Sequence, residues 1–301
     1  MRSPGLAERV GDRALDWLSA NRARFEPPSG EVPVSEAGQT ALAELAQLSL
    51  HLARRDRFAG DRRVHDFLEL VDRVYRRPAF HEFPFRVELR SLAGHLLIWL
   101  ALRERGIEKL VPAHLFAERI DAYAVAVAAH PAKLLELRYL LKLGGFGHRL
   151  PPEDELLGET VLAHAGPPDE LDDDRVYELT HVVFYVTDFG LQGPSALSGE
   201  WHGTGERVLR LLEGMITRRH WDLVSELILS HRCLGGARHP SVQAAWQALH
   251  ASQEASGRIR HPPELGGPVD ELPPGEPRQR YLFARCYHQT LVAAMAAFLG
   301  P

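Results

Sequence analysis

Tyr177-Glu-Leu-Thr-His-Val-Val-Phe-Tyr-Val-Thr-Asp188 is the stretch on which the fold class turns. Its β-branched residues suit a buried strand. A strand needs a partner, and no other run in the chain offers one. Asp172–Asp174 stand just before it and would make a favourable acidic first turn for a helix. The stretch therefore reads as helix.

Working outward, the same 3.6-residue recurrence fills most of the chain. Leu6–Phe25 places Val10, Leu15, Trp17 and Leu18 near one face, and Ser35 offers an N-cap before Leu42, Leu45, Leu48 and Leu52. Asp61–Arg76 carries Val64, Phe67, Leu68, Val71 and Tyr75 and stops before Pro78. Further helical windows are Val87–Arg105, Ala113–Ala129, Ala132–Leu143, Glu153–Ala165, Gly205–Arg218, Trp221–Leu234, Ser241–Ser256 and Arg278–Leu299. Gly144-Gly145, Gly235-Gly236 and Gly300 stand where left-handed C-caps are wanted. The expectation is an all-α protein of about twelve helices joined by short connections. Leu92–Leu102 and Val292–Leu299 are apolar nearly all round, as inner helices must be.

Asp188–Thr204 and Ile259–Pro277, rich in glycine and proline respectively, read as irregular connections. Neither resembles a flexible domain linker, so residues 1–301 read as one domain. An open solenoid would show self-similarity at a fixed period, which is lacking; a closed ring of helical hairpins, the α/α toroid, tolerates divergent repeats.

The formal charge of -5 argues against a general nucleic-acid binder, which needs a basic face. No run approaches the ~20 apolar residues of a membrane span, and the N-terminus lacks the apolar core of a secretory signal. Two cysteines, Cys233 and Cys286, make no disulfide framework, and the chain reads as cytoplasmic.

Chemistry is expected first in the deciding stretch. On a helix Glu178, His181, Tyr185 and Asp188 fall at i, i+3, i+7 and i+10, one face of an otherwise apolar element. Burying such groups is costly unless they pair or hold a metal. A Glu-x-x-His spacing occurs in di-iron bundles, but those need two copies and the chain has one. The plain alternative is a hydrogen-bonded core network. Arg285-Cys286-Tyr287-His288 opens a smooth, small-residue helix, and Cys233 ends another apolar one. Thiolate and imidazole favour Zn²⁺, and catalytic zinc takes three protein ligands. His181, His288, Cys233 and Cys286 are the expected ligands, with Asp188, Glu178 and Tyr185 as catalytic groups. Two histidines and a carboxylate would instead suit Fe²⁺. The competing reading of each thiol, taken alone, is a buried structural cysteine, the commoner role of this residue.

His95, alone on an apolar helix, reads as a satisfied core histidine, and Glu200-Trp-His202 as a mobile loop or simply an exposed one. Gly144-Gly-Phe-Gly147 follows a helix, which is the wrong context for a phosphate-binding fingerprint. Hydrolase, Walker and zincin motifs are lacking.

Tyr287-His288-Gln-Thr-Leu-Val is similar to the Tyr-His-Thr segment of protein prenyltransferase β-subunits, which opens a late inner helix of an α/α toroid and whose histidine binds zinc. Their Asp-x-Cys motif is lacking. Cys286-Tyr-His288 loosely resembles the adjacent Cys-His zinc pair of lanthipeptide cyclases, with one residue inserted. The whole chain resembles an uncharacterised actinobacterial helical family, through Leu179-Thr-His-x-x-Phe-Tyr-x-Thr-Asp-Phe-Gly190 and Tyr287-His-x-Thr-Leu-Val292. Two functions stand against each other. One is a metal-dependent cytoplasmic enzyme acting on a small molecule or peptide, in a biosynthetic setting. The other is a non-catalytic helical module that recognises a peptide or protein.

Overall fold

A computed structural model describes residues 5–27, 36–81, 91–164, 166–192, 203–236, 238–261 and 272–300. It is all-α: the described residues form helices and turns without a strand, apart from a single isolated bridge between Gln253 and Ile259. The β-branched residues at 182, 183 and 186 are accommodated because their helix packs them inward, where burial outweighs a weak helix propensity. The chain divides into two compact units, one of residues 25–164 and the other of residues 1–24 and 165–301.

In the first unit, α2 (Glu36–Ala53), α3 (Arg62–Tyr75), α4 (Pro78–His81), α5 (Leu92–Leu102), α6 (Ala113–Ala126), α7 (Pro131–Gly144), α8 (Glu153–Gly158) and α9 (Val161–His164) follow in order. Helix α5 is the centre, packed against α2, α3, α6 and α7 and buried at every position but Gly94. Its Trp99 donates from Nε1 to the Val111 carbonyl (2.8 Å) and meets the rings of Phe116 and Phe146. Gly145, in the left-handed region at φ +70°, ends α7 where the sequence places a C-cap.

The second unit joins α1 (Leu6–Ala20) to α10 (Asp173–Val186), α11 (Thr204–Arg218), α12 (Trp221–Cys233), α13 (Pro240–Ser252) and α14 (Glu276–Phe298). Helices α10 and α12 run parallel, since Tyr177 reaches Asp222 and, one turn on, Thr180 reaches Glu226. Helices α12 and α14 also run parallel: His288 acts on Asp222, and Arg232 binds the carbonyls of Ala296 and Ala297. Helix α12 contacts α10, α11, α13 and α14, and most of its residues are buried. The small residues of α14 let α1 approach closely; a Cβ at Gly11 would lie 2.4 Å from that of Ala297. The expected N-cap Ser35, the segment Glu200–His202 and the greater part of both expected loops lie outside the described residues. No helix among those described is long and apolar enough to cross a membrane.

Candidate functional site

The three parallel helices bring together a cluster of ionisable groups. On α12, Asp222 and Glu226 are four residues apart and share a face. Tyr177 and His181 on α10 have the same spacing, so the two helices meet as a two-rung ladder. On one rung, the Tyr177 hydroxyl donates to Asp222 Oδ2. On the other, the Thr180 hydroxyl donates to Glu226 Oε2 (2.5 Å), and His181 Nε2 lies 3.5 Å from Glu226 Oε1. The exposures differ sharply: the Glu226 side chain is 3% exposed and that of His181 is 41%. A buried carboxylate thus stands behind an imidazole that solvent, or a substrate, can reach.

Asp222 is bound from further sides. His220 Nδ1 lies 2.5 Å from its Oδ1, and the charge of His288 on α14 acts on it. Burial alone would raise the carboxyl pKa, but the bonds from His220 and Tyr177 and the charges of His220 and His288 outweigh it, holding the group at about 2. The Tyr177 hydroxyl is pushed above its ordinary value, first by burial and then by the neighbouring Asp222 charge, so it stays a proton donor. Asp173, in the first turn of α10, completes the cluster with paired bonds to Arg218 (2.6 and 2.7 Å) and a 3.4 Å contact to His220 Nε2.

A family described as a domain of unknown function (DUF6895) matches residues 11–298, which include every one of these groups. The chain belongs to the DUF6895 family. No curated protein and no solved structure matches it.

Of the site residues expected from the sequence, the DUF6895 chain brings His181 to the cluster and places His288 within electrostatic range of it. Tyr185 lies one turn beyond His181, ring against ring at 6.1 Å. Glu178 is engaged by Arg175 (2.8 Å). The inward face running through Asp188 is corrected in two respects. His181 is half-exposed, and α10 ends at Val186. The Thr187 hydroxyl donates back to the Val183 carbonyl (2.7 Å), and Asp188 and Phe189 both turn left-handed, at φ +49° and +52°. Asp188, buried, therefore leaves the helical face that its spacing implied.

The thiols lie elsewhere. Cys286 and His288 are two residues apart, about 200° around a helix, and point to different sides of α14. Cys286 accepts a backbone hydrogen bond from His261 near Arg258 and Glu254, and burial pushes its thiol up. Cys233 closes α12, seven residues and about 10 Å of axial rise beyond Glu226. Neither thiol stands with the two histidines, and the described residues hold no group of three or more His, Cys, Asp or Glu side chains placed to bind a metal. The donor set expected for zinc does not fit this arrangement. Asp222, Glu226 and His220 escaped the sequence reading, although the i, i+4 carboxylates in Trp221-Asp-Leu-Val-Ser-Glu226 were a signal of the same kind as the one in α10.

His95 is buried in α5 beside the Tyr75 ring (5.7 Å), and its Nδ1 has no hydrogen-bond partner among the described residues. Burial drives its pKa down to about 3.

Proposed function

We propose that the DUF6895 chain is an enzyme that moves protons on a small molecule or peptide, with His181 as the general acid–base. The observation that carries this reading is the half-exposed imidazole set 3.5 Å from a carboxylate that is almost wholly buried. Glu226 acts through His181: it fixes the ring and stabilises the imidazolium formed when His181 accepts a proton. Thr180 holds the second carboxylate oxygen, so Glu226 has one oxygen left for the ring. Asp222, in the neighbouring turn, is held ionised chiefly by His220 and Tyr177, with the His288 charge on α14 adding to them, and so keeps a fixed negative charge beside the His181–Glu226 pair. Cys286, expected as a zinc ligand, accepts a bond from the His261 backbone instead, so the acid–base role of His181 is argued without a sulfur-bound metal. A cytoplasmic, biosynthetic role and the closed ring of hairpins remain parts of this reading that the sequence motivates.

The test is turnover of a soluble metabolite and peptide extract, followed by untargeted mass spectrometry. Wild type depletes a defined compound, and His181→Ala does so about 10²–10⁴-fold more slowly, the usual contribution of general acid–base catalysis. His181→Ala should keep its melting temperature within a few degrees, because the ring is half in solvent. An extract that wild type leaves unchanged, with a compound retained on the protein instead, would favour the non-catalytic binding module.

A further inference from the structure

We infer that His220 is a pH-sensitive brace that ties the first turn of α10 to the first turn of α12, beside the His181–Glu226 pair. His220 immediately precedes α12 and stands between two carboxylates on different helices: Asp222 of α12 at 2.5 Å from Nδ1, and Asp173 of α10 at 3.4 Å from Nε2. Only the protonated ring has a donor on both nitrogens. The neutral ring has one, so it must turn a lone pair towards one of the two anions. Loss of the proton therefore replaces an attraction with a repulsion at one end of the bridge.

The charged and titratable groups facing the brace come from every helix around it. They are Asp173 and Tyr177 from α10, Arg218 from α11, Asp222 from α12 itself, and His288 from α14 acting through Asp222. Arg218 keeps Asp173 ionised, and Tyr177 keeps Asp222 bonded, so both anions persist when the imidazole titrates. The bond to Asp222 raises the proton affinity of His220 against the effect of its burial. The stabilising bridge is then complete below the ordinary imidazole value of about 6.5 and is lost as pH rises through the higher folded value. Asp173 is two turns before His181 on α10, and Asp222 is one turn before Glu226 on α12. Slack between the first turns is thereby passed to the proton-transfer pair. That last consequence rests on the acid–base reading; the brace itself does not.

The experiment is a histidine-ring NMR titration of the full chain, with thermal melts of wild type and His220→Asn from pH 5 to 9. The His220 resonance, assigned by its loss in the variant, should titrate with a midpoint above about 6.5. Wild type should melt about 3 °C above the variant at pH 5.5, and the gap should shrink by at least half at pH 9. Buried neutral histidines such as His95 act in the opposite direction with pH, and the wild-type-minus-variant difference removes them. Should His220→Asn not fold, Asp173→Asn gives the same answer by lowering the His220 midpoint. A midpoint at or below about 6.5, or a melting gap independent of pH, overturns the brace. Failure of the acid–base reading would show instead as absent turnover with both of these readouts intact. Where turnover is present, wild type loses rate on the alkaline side with the His220 midpoint, and His220→Asn does not.

Discussion

Asp222→Ala is expected to lower stability by about 3 kcal/mol, measured by urea unfolding followed by circular dichroism. The side chain is a fifth exposed, which limits the loss to the lower end of the range for breaking a buried pair. Its removal leaves three things wrong at once. The Tyr177 hydroxyl loses its acceptor in a site where burial already raises its pKa. His220 loses its shorter carboxylate contact and His288 loses an attracting charge. Asp222→Asn keeps the shape and one acceptor, and so should recover part of the loss. The same carboxylate gives stability an acid dependence: with its pKa held at about 2, its contribution is full above the ordinary value near 3.9 and declines as pH falls below it. An Asp222→Ala variant as stable as wild type would mean that the ladder between α10 and α12 holds nothing together.

The second large effect belongs to His95. Its folded pKa of about 3 against an ordinary 6.5 makes the unfolded chain bind a proton that the folded chain refuses. Stability is therefore unaffected above the ordinary value and falls as pH drops from 6.5 to 3, by about 4–5 kcal/mol in total at 1.36 kcal/mol per pH unit. His95→Leu keeps an apolar group of similar bulk and removes the titration, so unfolding measured at pH 7 and pH 4 should differ much less in the variant. Asp222 acts only below about 4, which separates the two windows. An unchanged difference between pH 7 and pH 4 in His95→Leu would show that the imidazole is not the group being protonated.

Much of the architecture is legible from local pattern. Leu92–Leu102 is apolar on every side because it is surrounded, and Gly145, Gly235 and Gly300 adopt the left-handed backbone that their positions after apolar helices suggest. Periodicity reports which face is buried, and burial follows from it directly. The point at which α10 stops is less legible. Thr187 turns its hydroxyl back to the backbone and the next two residues go left-handed, a local choice that apolar spacing does not encode. His181 was visible as a polar residue on an apolar helix, but its partner was not. A contact between residues 181 and 226 depends on how two helices pair, and one sequence holds no record of that pairing. The Cys286–His288 proximity misled for the opposite reason: neighbours in sequence diverge on a helix.

A double-mutant cycle on turnover decides whether His181 and Glu226 act as one proton-transfer unit. Wild type, His181→Ala, Glu226→Gln and the double variant are compared on the compound that wild type depletes. Glutamine at 226 keeps the volume and an acceptor for the Thr180 hydroxyl, so a loss of rate reports the lost charge behind the imidazole. If the pair is one unit, Glu226→Gln slows turnover by at least about tenfold in wild type and by nothing further once His181 is gone, as expected for residues whose effects are grossly non-additive. Two single losses that multiply in the double variant, or a Glu226→Gln enzyme as fast as wild type, would show that Glu226 does not act through His181.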